Sequence, residues 1–263
     1  MMLKRTVLLT LTALLITTTQ AQDLSEGNWI DLTHTLNEDA VFWPTARMFE
    51  QQTVFEGETE GGYYYSAYNF SAAEHGGTHI DAPIHFARGR NAADEIPVDQ
   101  LIGPAVVIDV KAQSAENRDY QFTVEDVTNW EAEHGRLPEG AIVLFNTGLA
   151  QYYPDREKYM GTAERGEEAV ADLHFPGLHP DLAMFLAFER NVAAVGLDTP
   201  SIDYGQSTDF RSHVILYREN IFGIENLANL DELPATGATL IALPMKMEGG
   251  SGGPVRVVAY LPE

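Results

Sequence analysis

The chain has 263 residues, 44% of them hydrophobic, enough to bury a full core, and its formal charge of -23 repels nucleic acid and anionic lipid surfaces. It contains no cysteine, which excludes disulfide staples and a thiolate as nucleophile or soft metal ligand; any metal here is expected to take nitrogen and oxygen ligands. The acidity reads as solubility rather than as a preference for cationic substrates.

In chain order, residues 1–21, MMLKRTVLLTLTALLITTTQA, place Lys4 and Arg5 before an apolar run and end on a small-residue cleavage site. This is the pattern of a signal peptide cut after Ala21. The stretch from Thr6 to Ile16 falls short of the ~20 apolar residues of a membrane span. The expectation is a periplasmic or secreted protein with no membrane attachment after cleavage. Residues 22–263 read as a single domain, because no repeat or low-complexity linker breaks them.

Short apolar runs rich in β-branched residues predict strands at WIDLTHTL from Trp29, VVIDV at 106–110, AIVLFNT at 141–147, VAAVGLD at 192–198, ATLIALP at 238–244 and VRVVAYL at 255–261. Between them, TVEDVTNWEAEH opens on Thr123 with Asp126 three positions on, a capping-box-like helix start, and HPDLAMFLAFER carries Pro180 in its first turn. Ser207 and Thr208 are placed to cap a further helix running through Glu219. The alternation predicts an α/β protein, with segments such as GGSGGP at 249–254 as loops.

The stretch EHGGTHIDAPIHF, residues 74–86, concentrates His75, His79, Asp81 and His85 beside two glycines and a proline. Positions 75, 79, 81, 83 and 85 share parity, so an extended chain points them to one face. A straight strand would hold His75 about 13 Å from His79; the bend that closes this gap is assigned to Gly76 and Gly77. His75, His79 and Asp81 then form a two-imidazole, one-carboxylate site with open positions, suited to zinc or manganese. His85, beyond Pro83, is assigned general acid/base work. Each histidine alone reads better as a hydrogen-bonded structural residue; the four together point to a metal.

The pattern His75-x-Gly77-Thr78-His79-x-Asp81-x-Pro83-x-His85 resembles the signature of the metal-dependent cyclase family, which includes bacterial kynurenine formamidases and isatin hydrolases. The resemblance extends over residues 28–262, through DLTHTL, FWP at 42–44, GLDTPSID ending at Asp203, and HVILYRENIFGIENL from His213. It implies a swivelling β/β/α-type domain around a mixed, barrel-like sheet, assembled as a homodimer or larger homo-oligomer. It further implies His75, His79, Asp81, His213 and Glu225 as ligands of one or two divalent ions, His85 as the acid/base and Trp43 as an aromatic wall of the substrate pocket. His213 and Glu225 also read as a helix-face residue and as the cap of a helix starting at Asn226. Asp198, Ser201 and Asp203 read as a turn beside the site. His34, His134, His174 and His179 read as structural or surface residues.

The reaction so implied is hydrolysis of an amide C–N bond. The substrate is an aromatic lactam, with N-formylkynurenine as the alternative, and a non-catalytic periplasmic protein holding a metal or small ligand is the reading from another class. The run Gly61-Gly62-Tyr63-Tyr64-Tyr65, with Phe70 and Trp43, is a candidate stacking surface, and reads at least as well as an ordinary strand with alternating burial. Residues 151–177 form an insertion relative to compact formamidases.

Overall fold

The structure, a computed structural model, describes Leu24 and residues 26–262; the expected signal peptide lies outside the described residues. The chain enters through β1 (Asn28–Asp31), sends out a hairpin of β2 (Glu50–Glu58) and β3 (Tyr64–Ser71), and returns as the short β4 (His79–Asp81). There follow β5 (Ile102–Asp109), α1 (Lys111–Glu116), β6 (Gln121–Phe122), α2 (Val124–His134), β7 (Ile142–Asn146), α3 (Arg156–Met160) and β8 (Gly177–Leu178). The chain continues with α4 (Pro180–Phe185), β9 (Ala194–Leu197), α5 (Arg211–Arg218), β10 (Phe222–Glu225), β11 (Ala238–Pro244) and β12 (Gly252–Leu261).

Seven strands close into a ring in the order β12-β11-β5-β7-β9-β10-β4, with the start of β12 bonding back to β4 and β1 adding to the far end of β12. The β5, β7, β9 and β10 neighbours are parallel, and β4, β11 and β12 join antiparallel. The fold is thus mixed α/β around a barrel-like sheet. Closure leaves few free strand edges, which removes templates for aggregation.

The alternation of side chains along the central strands builds two cores. Ala105, Val107, Ile142, Leu144 and Ala194 point into the barrel with Ile80, Leu240 and Val257. Val106, Ile108, Val143, Phe145, Val195 and Leu197 point outward under α2, α4 and α5. Strands covered on both faces read as continuous apolar runs, which is why β7 and β9 are legible in the sequence.

The predicted start of α2 holds. Thr123 N–H donates to Asp126 Oδ2 at 2.7 Å, and Asp126 N–H returns a bond to Thr123 Oγ1 at 3.4 Å. Two expectations are corrected. The strand read from Trp29 ends at Asp31, because Leu32 turns into the core and Thr33 bonds instead to Val257 and Leu227. The helix expected from Ser207–Thr208 begins at Arg211; Ser207 Oγ accepts only from Phe210 N–H, and the first turn is capped by Asp203, which accepts from Ser212 and His213 N–H at 3.1 Å each.

The hairpin β2–β3 stands apart from the barrel and is open on both faces, with Tyr63, Tyr64, Tyr65, Phe70 and Val54 more than half exposed. The tyrosine run therefore does not stack in the pocket described below.

Candidate metal centre

His79 and Asp81 leave the same face of β4 while Ile80 between them enters the barrel core. On the neighbouring strand Glu225 lies opposite His79 and Gly223 opposite Asp81. Directly opposed residues hold their Cβ atoms ~5 Å apart, which delivers Glu225 to His79. Glycine is required at 223, where a Cβ would stand 2.5 Å from the Tyr217 hydroxyl. Tyr217 occupies that space and donates to Asp81 Oδ2 at 2.9 Å. His213 lies one turn before Tyr217 on the buried face of α5 and comes within 3.5 Å of the same oxygen.

The other two motif histidines arrive by turns, so shared parity holds only for His79 and Asp81. Gly77 adopts φ +58 and folds His75 back over β4, and His85 sits on a single 3-10 turn, Pro83–His85. Glu225 ends strand β10 and caps no helix.

The nitrogen accounting of the imidazoles defines the site. His79 Nδ1 donates to the Gly77 carbonyl at 3.0 Å, and its buried Nε2 has no hydrogen-bond partner. That bare nitrogen faces Asp81 Oδ1 at 3.2 Å and Glu225 Oε2 at 3.4 Å. His213 Nδ1 donates to Asp203 Oδ2 at 2.5 Å, which leaves Nε2 towards Glu225 Oε1 at 3.2 Å. Ser251 commits its hydroxyl proton to Glu74 Oε2 at 2.6 Å, so its oxygen accepts from His75 Nε2 at 2.8 Å. His75 Nδ1 is then left facing Asp81 Oδ1 at 2.6 Å.

In all three rings the outer nitrogen is tied to an acceptor, and the inner one turns its lone pair on carboxylate oxygens. Imidazole nitrogens that converge in this way on shared carboxylates are arranged to hold a cation, and hydrogen-bonded outer nitrogens are the usual support of metal-ligating histidines. Two overlapping groups, His75 with Asp81 and His85, and His79 with Asp81 and Glu225, have ligand atoms within 4.8 Å of one another. The donor set fits a divalent ion.

The field of the cluster follows the same pattern. Burial alone would raise Asp81, but the imidazoles gathered round it, His75 foremost and then His213 and His79, hold it well below the usual carboxylate range. Burial and then the Asp81 charge push Glu225 up. Burial lowers His79 and His213, yet their carboxylate partners bring both above the ordinary imidazole value. His85 stacks on the His75 ring at 3.8 Å, with Nε2 4.0 Å from Asp81 Oδ2. Burial pushes it down, Asp81 pulls it up and the other imidazoles push it down again, leaving it at about 4.

The cluster forms the floor of a cavity of about 280 Å³ walled by Val41, Trp43, Phe86 and Phe210. Trp43 lines this cavity, with its ring edge-on to Phe210 at 6.3 Å. Phe210 adopts φ +47, a conformation that bulky residues rarely take, directly before α5. His34 stays away from the cavity, stacked on Tyr153 at 3.7 Å. Asp198 organises a turn by accepting from Thr147 and Ala150. Sequence reasoning missed Asp203 as the partner of His213, and it missed Ser251 with Glu74 behind His75, Tyr217 on Asp81, and Phe86 and Phe210 in the wall.

A family model described as "Putative cyclase" matches residues 30–204. The chain belongs to the cyclase family. The match covers the histidine motif and stops short of His213 and Glu225, which the fold brings to it. This cyclase-family chain is 35% identical to the isatin hydrolase of Roseibium aggregatum over 223 residues, 81% of each chain. It is 29% identical over 238 residues to a kynurenine formamidase of Bacillus cereus, covering 89% of this chain and 98% of that one. A solved isatin hydrolase A from Labrenzia aggregata, bound to benzyl benzoate, superposes with a TM-score of 0.81 at 37% identity, covering 90% of this chain and 94% of that one.

Proposed function

We propose that this protein hydrolyses the amide C–N bond of a flat aromatic lactam, as an isatin hydrolase does, with His85 as general acid and base. The observation that carries this reading is the set of three imidazoles whose bare nitrogens converge on Asp81 and Glu225 beneath an aromatic cavity. His75, His79, Asp81, His213 and Glu225 would hold the metal. The oxygens of each carboxylate are divided between His79 and His213, an arrangement that favours two ion positions, with manganese or zinc suited to the donors. A divalent ion bound there supplies Lewis acidity, lowering the pKa of a water and polarising the substrate carbonyl.

The protein's own residues do the rest. His85, unprotonated at neutral pH, accepts the proton of the attacking water and returns one to the departing nitrogen. A C–O bond forms as the C–N bond breaks, and the ring opens to an amino carboxylate. Trp43 and Phe210 hold the ring plane and exclude water. A cavity near the ~300 Å³ lower bound of ligand pockets suits a small fused ring.

N-formylkynurenine hydrolysis is the second reading, favoured by a kynurenine formamidase that aligns over 98% of its length. Steady-state kinetics on isatin and N-formylkynurenine separate the two. A kcat/KM at least about tenfold higher for isatin is expected; the reverse ranking selects the formamidase reading, and activity on neither defeats both. A pure binding role gives no use for His85 beside the ligand set.

The mature protein is further proposed to start at Gln22 in the periplasm or outside the cell. It is proposed to assemble as a homodimer or larger homo-oligomer that covers the two-sided hairpin β2–β3. Light scattering and intact mass on protein purified from the producing cell test both; a monomer, or an uncut N-terminus, overturns the respective statement.

A further inference from the structure

Residues 151–177, the insertion between β7 and α4, grip the backbone of the loop that carries Trp43. Tyr153 Oη accepts from Val41 N–H at 3.0 Å, and Arg156 donates to the Phe42 carbonyl at 3.1 Å. Gly166 N–H donates to the Pro44 carbonyl at 3.0 Å, and Arg165 donates to the Ala46 carbonyl. The contacts fall on both sides of Trp43, whose indole also packs edge-on against Phe175 of the insertion at 6.4 Å.

The two arginines are unusual in their company. The chain has 39 acidic and 16 basic residues, so a guanidinium finds carboxylates readily. Among the described residues, neither Arg156 nor Arg165 forms an ion pair; Arg156 spends its bonds on the carbonyls of Phe42 and Glu164, and Arg165 on Ala46 and the sulfur of Met48. Their mutual repulsion opposes this placement, since Arg165 adds to burial in lowering Arg156. Neither makes a contact to His75, His79, Asp81, His213 or Glu225, which β4, β10 and α5 position without them.

We infer that Arg156 and Arg165 are specificity-determining positioning residues. By fixing the backbone of residues 41–46 they hold the Trp43 indole opposite Phe210, so that the cavity is preformed as a rigid slot for a flat, fused aromatic amide. A rigid substrate gains from a preformed wall, because neither partner loses freedom on binding. A flexible open-chain amide can follow a wall that moves and gains less. The inference rests on the amide-hydrolase reading of the same cavity.

The test uses the metal-loaded protein and its Arg156→Lys, Arg165→Lys and double variants, which keep the charge and lose the planar fork. Acrylamide quenching of Trp43, taken as the difference from a Trp43→Phe blank, reads the wall directly. Kinetics on isatin and on formanilide, an open-chain aryl formamide, read its consequence. In the double variant Trp43 quenching is expected to rise about twofold, and the KM for isatin about tenfold. The KM for formanilide, both kcat values and the metal content should stay within about twofold of wild type. Tyr153→Phe, which removes one hydroxyl, repeats the quenching rise at smaller scale should the double variant misfold.

Unchanged quenching, or an equal rise in KM for both amides, overturns the inference. If the wild type turns over neither amide, the function reading fails by itself; unchanged quenching still overturns the clamp, and a rise with weaker isatin binding in the variants still upholds it.

Discussion

His85→Ala is expected to lower turnover of the amide by about 10²–10⁴-fold, the range of a lost general acid/base, while the metal content stays near wild type. The separation of effects follows from geometry. The Nε2 of His85 lies 4.0 Å from Asp81, its side chain is 30% exposed towards the cavity, and none of the ring nitrogens of His75, His79 and His213 depends on it for a hydrogen bond. Elemental analysis of the variant beside single-turnover rates reads both quantities. Loss of metal together with turnover would place His85 among the ligands, as its grouping with His75 and Asp81 allows. The pH profile carries the same assignment. An imidazole lowered to about 4 is in its base form from neutrality down, so kcat/KM at saturating metal should stay level to about pH 5 and fall through about pH 4. In this pH range His85→Ala should lose that acidic limb.

Asp81→Asn is expected to abolish the stabilisation of the fold by metal. Asp81 Oδ1 faces His75 and His79, and Oδ2 faces His213 and accepts from Tyr217, so a single carboxylate joins both halves of the cluster. Asparagine keeps the shape and replaces one of those oxygens with a donor, which confronts the bare imidazole nitrogens with an uncharged group. Ligand that binds only the folded state stabilises it by RT ln(1 + [L]/Kd), about 2.7 kcal/mol at a hundredfold excess over Kd. For a chain of this size that corresponds to a rise in melting temperature of roughly 5–10 °C. After chelation and readdition of manganese or zinc, the wild type should show this rise and the variant less than about 1 °C. A variant that keeps the full rise removes Asp81 from the ligand set.

Local signals carried the part of the site that is local. The run from His75 to His85 was legible because its spacing lies within one bend and one turn, and α2 was legible because Thr123 and Asp126 complete their cap within the helix itself. His213 and Glu225 came from family resemblance alone, since their meeting with His79 depends on the β10–β4 register, a pairing between distant parts of the chain. Asp203 and Ser251 were hidden by their settings. A polar residue in a turn such as TPSID or GGSGGP serves the turn equally well, and nothing in its neighbours reveals that a histidine waits across the fold. The tyrosines at 63–65 misled for the converse reason: alternation tells which residues share a face and leaves open whether the protein covers that face.

The strand that carries His79 and Asp81 is also the one that seals the barrel. Its three residues bond to β10 on one edge and to the opening of β12 on the other. Both neighbours are reached late in the chain, so the seam forms after most of the sequence is in place, a long loop closure that slows folding. The full ligand set, with His213 and Glu225 beside His79 and Asp81, is assembled only when this seam is closed. An ion held there would act as a latch on this seam, so the backbone amides of residues 79–81 should exchange with solvent as slowly as the protein unfolds as a whole, and slower still once metal is bound.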